Sequence, residues 1–72
     1  MVEAEQEYLR AADTEEEPGR RHFRRGQWLL KFHRDRLDEA ETEFERAIEI
    51  LPNWSQPRSA LAEVKAIRAH GS

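Results

Sequence analysis

From Leu37 to Leu51 the apolar residues Leu37, Ala40, Phe44, Ala47, Ile48 and Leu51 recur at intervals of three and four. That spacing draws one stripe down a helix of about 3.6 residues per turn. Glu39, Glu41, Glu43, Glu45 and Arg46 fill the other face, where water solvates them. Asp38 and Glu39 suit the positive N-terminal end of this helix. Upstream, Phe23, Trp28, Leu29, Leu30 and Phe32 predict a helix from about Arg20 to His33 with a broad apolar surface. Gly26 interrupts it. A glycine inside a helix costs roughly 1 kcal/mol against alanine, so its presence predicts close approach of a neighbouring backbone. Only Arg34 to Arg36 separate the two helices, and so short a link forces an antiparallel hairpin.

A last helix is expected after Asn53, ending near His70, with Ser55 as its N-cap. Pro57 falls in its first turn, where the missing N–H matters little, and Ala60, Leu61, Val64 and Ile67 supply its buried stripe. Residues 2–13 carry a weaker helical pattern, with Tyr8, Leu9, Ala11 and Ala12 on the apolar side, and Glu15, Glu16 and Glu17 read as a solvated, fraying end. Pro18-Gly19 and Pro52-Asn53 punctuate the chain. The expected organisation is therefore all-α, with an acidic N-terminal helix in residues 1–18, a helix hairpin in 19–52 and a following helix in 53–72.

The chain also resembles itself. Glu3 to Asp13 aligns with Glu39 to Glu49 at an offset of 36 residues; six of the eleven positions are identical, and Tyr8 stands opposite Phe44. A period in the middle thirties is the mark of stacked helix pairs. In the second of these segments Ala40, Phe44, Ala47 and Pro52 have the spacing small, aromatic, small and proline, preceded by Leu37-Asp38-Glu39. This pattern resembles the second helix of the tetratricopeptide family. The resemblance implies a short solenoid of three to four helices in antiparallel hairpins, in which Ala40 and Ala47 admit a partner helix closely, Phe44 fills the gap, and Pro52 ends the helix. Leu61 and Ala62 match the family's large-then-small pair in a following first helix, and residues 2–13 match a preceding half-repeat. The helix 20–33 departs from the pattern. Counting from Pro18 or from Ala40 places Trp28 where the family has Gly or Ala, Gln27 where it has Leu and Lys31 where it has Tyr. A shift of one residue instead sets Trp28 and Phe32 on the large apolar positions.

Composition narrows the class. Seventy-two residues make one domain at most, and a chain of that size buries only about 60% of its unfolded surface. Leu, Ile, Val and Phe number 14, close to the disordered range, but the net charge is only −3. The charge is segregated into blocks: −6 over residues 1–18, +6 over 19–36, −5 over 37–51 and +2 over 52–72. Alternating blocks of helical length predict neighbouring helices that attract one another. There is no cysteine, no signal-peptide pattern at the N-terminus and no apolar run of membrane-spanning length. A cytoplasmic protein with no membrane association is expected.

No catalytic constellation is visible, and the expectation is a non-enzyme without cofactor or metal. His22, His33 and His70 lie far apart and fit no zinc spacing, and the three glycines are isolated rather than gathered in a phosphate loop. The basic run Arg20-Arg21-His22-Phe23-Arg24-Arg25 carries the functional expectation. One reading makes it an anion-binding surface; the resemblance implies a groove lined by first helices that holds a peptide or helix of another protein, acidic in character. The candidate partner-binding residues are Arg24, Arg25, Leu29, His33, Arg34 and Trp54. The competing reading, favoured by the near-cancelling charge blocks, pairs these arginines with Glu3, Glu5, Glu7 and Glu39 to Glu45. The Lys and Asn pattern of the family's carboxylate clamp is absent. Two acidic helices beside the basic one disfavour nucleic acid, and Trp54 reads as a packing plug ahead of an exposed anchor. Two functions remain: an interaction module, or adaptor, acting as a monomer, and a self-assembling element that forms a homodimer through exposed repeat ends.

Overall fold

The computed structural model describes residues 3–71, so Val2, at the expected start of the first helix, lies outside the described residues. The described chain holds four α-helices, α1 (Glu3–Thr14), α2 (Pro18–Phe32), α3 (Leu37–Ile50) and α4 (Gln56–Gly71), with a single 3₁₀ turn at Arg34–Arg36 between α2 and α3. No strand occurs among these residues.

Each helix boundary follows from local chemistry. Pro18 opens α2 where its lost N–H would be unbonded in any case. The carboxylate of Glu17 accepts the Arg20 backbone N–H at 2.8 Å and so caps α2. Glu15 is tied as well, through Arg24 and the Glu17 N–H. Glu15 and Glu17 therefore help to start α2 and are not a fraying end of α1, a capping role that charge alone does not reveal. At the other end His33 N–H donates to Leu29 O, and at the end of α3 Leu51 N–H donates to Ala47 O, just ahead of Pro52. Neither end uses a left-handed residue, and no described residue has positive φ. In α4 the Ser55 carbonyl accepts the Ser59 N–H, and Pro57 is buried in the first turn.

Chain neighbours pack on one another: α1 on α2, α2 on α3, α3 on α4, with a smaller contact between α2 and α4. The result is a slab of 35 × 35 × 15 Å, little thicker than one helix with its side chains, about 10–12 Å. The core consists of Phe23, Leu29 and Leu30 from α2, Ala40, Phe44 and Ala47 from α3, and Val64 from α4. Phe44 is fully buried, with Phe23 tilted against it at 5.7 Å between ring centroids. Ala40 and Ala47 flank it with no exposed surface.

Gly26 sets the register of α2 against α3. A β-carbon there would lie 2.6–2.9 Å from three atoms of the Phe44 ring. The close neighbour is thus an aromatic side chain rather than the backbone that the sequence suggested. It also decides the helix register: the small residue facing Phe44 is Gly26, two positions before Trp28. Trp28 faces α1 instead, donating its indole N–H to Glu5, while Phe32 stays partly exposed with Tyr8 edge-on at 5.4 Å.

Candidate functional site

The first turns of α2 and the segment leading into α4 enclose a groove of about 290 Å³ lined by Arg20, Phe23, Arg24, Gln27, Trp54 and Gln56. Arg20, Phe23, Arg24 and Gln27 stand at intervals of three and four, so one face of α2 supplies all of them. Trp54 comes from the turn after α3, where its N–H donates to Leu51 O at 3.1 Å. Its ring meets Phe23 edge-on at 4.8 Å; Phe23 is buried in the core, so the half-buried Trp54 is the aromatic that reaches the groove surface. Arg20 lies over the Trp54 ring with its guanidinium carbon 5.7 Å from the centroid, a cation–π contact worth roughly 0.5–1 kcal/mol at an exposed site. Arg24 donates to Glu15 at 3.2 Å and is half-exposed. That bond draws the Glu15 carboxyl below its ordinary range; burial opposes it, and the Glu17 backbone N–H and the charges of Arg20 and Arg24 reinforce it. The groove therefore presents two arginines and two amides beside Trp54, and among the described residues no carboxylate lines it.

A larger, open hollow of about 1050 Å³ lies between the start of α3 and the end of α4. Arg34, Lys65 and Arg68 line it together with Asp35, Asp38 and Glu41, and Arg68 is bound to Glu41 at 3.1 Å. Its mixed charge gives it no selectivity for one sign of ligand.

The six sequence candidates do not form one site. Arg24 and Trp54 share the groove; Arg25 is exposed on α2; Arg34 belongs to the separate hollow and donates to its own Leu30 carbonyl. Leu29 is a core residue, 3% exposed, and reaches no surface a partner could touch. His33 is committed to α1: its Nε2 donates to Glu5 at 2.9 Å, and its ring packs edge-on against Trp28 at 4.6 Å. The bonds from Trp28, and then from His33, hold the Glu5 carboxyl below the ordinary value. Four groove residues lie outside the six candidates: Arg20 and Phe23, which belong to the basic run read as an anion-binding surface, and Gln27 and Gln56, which sequence reasoning did not single out. Arg20 and Gln27 were legible as helical neighbours of Arg24; Gln56 was not, because only the α2–α4 packing brings it there.

The acidic helices meet cations of their neighbours, but not through the arginines of the basic run as expected: Arg24 binds Glu15 instead. Glu5 and Glu43 are taken by His33 and His22, the latter donating from Nδ1 at 2.6 Å, rather than by arginines. Arg36 binds Glu39 within the first turn of α3 and lies over Trp28 at 5.6 Å. That bond lowers the Glu39 pKa and raises that of Arg36. No group of three metal-ligating side chains exists among the described residues, and none of their helices is long and apolar enough to cross a membrane. No protein-family model matches the chain, and no curated protein or solved structure is detectably similar to it.

Proposed function

We propose that this chain is a tetratricopeptide-like interaction module that binds an acidic peptide or helix of a partner protein in the groove between α2 and α4. One observation carries the reading: two arginines and two amides converge on a groove beside Trp54, with no carboxylate lining it among the described residues. An acidic side chain or a terminal carboxylate meets Arg20 and Arg24, which offer forked N–H donors. An apolar neighbour in the ligand then rests on the half-buried Trp54, and the amides bond its backbone. Arg24 shares its charge with Glu15, so Arg20 is the stronger anchor. The packing of Phe44 into the notch left by Gly26, between Ala40 and Ala47, supports the repeat-like reading of the hairpin.

The test is selection of random peptides displayed against the immobilised chain, with a counter-selection on Arg20→Glu/Arg24→Glu after circular dichroism shows the variant folded. The module reading expects peptides that combine Asp or Glu with an apolar residue. They should bind the variant at least tenfold more weakly, a loss of about 1.4 kcal/mol. Peptides without acidic character, or binding the variant equally well, remove the groove from the account.

A further inference from the structure

The helices meet in two alternating kinds of step, and the 36-residue internal repeat relates them. In the first kind, an acid of one helix reaches the C-terminal end of the next. Glu5 of α1 accepts from His33 just past α2, and Glu41, 36 residues on, accepts from Arg68 in the last turns of α4. In the second kind, α2 meets α3: Gly26 receives the Phe44 ring, and His22 donates to Glu43. This second step occurs once, between α2 and α3, because α1 packs on α2 and makes no contact with α4.

The repeat supplies both halves of a second such step at opposite ends of the molecule. Shifting His22 and Gly26 forward by the same 36 residues gives Arg58 and Ala62 of α4; shifting Glu43 and Phe44 back gives Glu7 and Tyr8 of α1. The α4 face that corresponds to the α3-facing side of α2 comprises Arg58, Ser59, Ala62, Lys65 and Ala66, and every one is exposed. The corresponding α1 face has Ala4 and Glu7 exposed, with Tyr8 and Ala11 half-buried. The charges are complementary as well: the α4 end of the chain carries +2 and the α1 end −6.

We infer that α4 of one copy receives α1 of a second copy, head to tail, repeating the α2–α3 step between molecules. Arg58 then pairs with Glu7 of the neighbour as His22 pairs with Glu43, and Ala62 lies under Tyr8 of the neighbour as Gly26 lies under Phe44. The two faces differ, so the contact is heterologous: it builds either an open chain with one face of each kind free at its ends or, if the rotation closes, a ring. Neither Glu7 nor Arg58 lines the α2–α4 groove, so peptide binding and self-assembly succeed or fail separately.

The absence of cysteine makes the test clean. Glu7→Cys and Arg58→Cys chains are mixed in equal amounts and oxidised, after circular dichroism confirms that each is folded. The head-to-tail contact gives a mixed disulfide well above the statistical share of about one half expected for unguided collisions of two equal species. It also gives a ladder of dimers, trimers and longer species from the chain carrying both cysteines. Sedimentation over a concentration series supplies a second readout: Arg58→Glu weakens self-association on the order of tenfold at low salt, and adding Glu7→Arg restores it. A predominant Arg58→Cys homodisulfide, which places two α4 helices face to face, overturns the proposal. So does a statistical mixture of disulfides, or a chain that stays monomeric throughout the series.

Discussion

Replacing Gly26 with alanine adds a methyl group where the Phe44 ring already sits. The new carbon would lie 2.6, 2.8 and 2.9 Å from three ring atoms, against about 3.5–4.0 Å for carbon atoms at their optimal separation. Two effects oppose each other. Alanine is the better helix former by about 1 kcal/mol, so in an exposed helix the change would stabilise. Here the ring cannot swing aside, because Phe44 is fully buried and Phe23 is packed against it. Forcing a methyl into so close a contact costs about 1–3 kcal/mol, and with three ring atoms below 3 Å the upper part of that range applies. The expected net result is a loss of about 1–2 kcal/mol, or a fall in Tm of roughly 4–16 °C for a domain of this size. Thermal and urea unfolding followed by circular dichroism measure it directly. Gly19→Ala is a second close site rather than a neutral control: its β-carbon would lie 2.7 Å from both Cγ and Cδ1 of Leu51 and 3.0 Å from Oε1 of the capping Glu17. A Phe44→Leu background should also relieve most of the Gly26→Ala penalty, since the clash is with the ring. A Gly26→Ala chain as stable as the parent, or more so, would refute the register assigned to α2.

Two further outcomes follow from the capping and charge network. Glu17→Ala removes the side-chain acceptor for the Arg20 N–H and should cost about 1 kcal/mol, with Glu17→Gln keeping most of the stability; equal Tm values for all three chains would show that water caps α2 equally well. Glu5, Glu15 and Glu39 are held below their ordinary value of 4.5 by bonds from Trp28, Arg24 and Arg36 respectively. Between their folded values and 4.5 the unfolded chain binds more protons than the folded one, so stability rises with pH through that window. It is fully present above 4.5 and is lost as pH falls through the folded values. Tm measured from neutral pH down to about pH 3 should therefore fall below the ordinary carboxylate range, and Glu5→Gln/Glu15→Gln/Glu39→Gln should flatten the slope; a parent chain with a flat profile would contradict these assignments.

The sequence by itself determined the helices and their order. Apolar spacing is local, so the stripe through Ala40, Phe44 and Ala47 identified both α3 and the centre of the core. The short link at Arg34–Arg36 made the hairpin antiparallel, and the charge blocks foretold that neighbouring helices would carry opposite sign. The tertiary structure decided which faces meet. In α2 the residues Phe23, Trp28, Leu29, Leu30 and Phe32 surround more than one side of the helix, so periodicity left its rotation open. The Phe44 ring settled it by requiring a residue without a side chain, and Gly26 is the residue that α2 offers there. That rotation turns Trp28 and His33 toward Glu5 and directs Arg20 and Arg24 into the groove. The partners of Glu5, Glu43 and Glu41 depend on the same packing. Charge attraction is weakly directional, whereas the hydrogen bonds that select His33, His22 and Arg68 require the helices to be in place first.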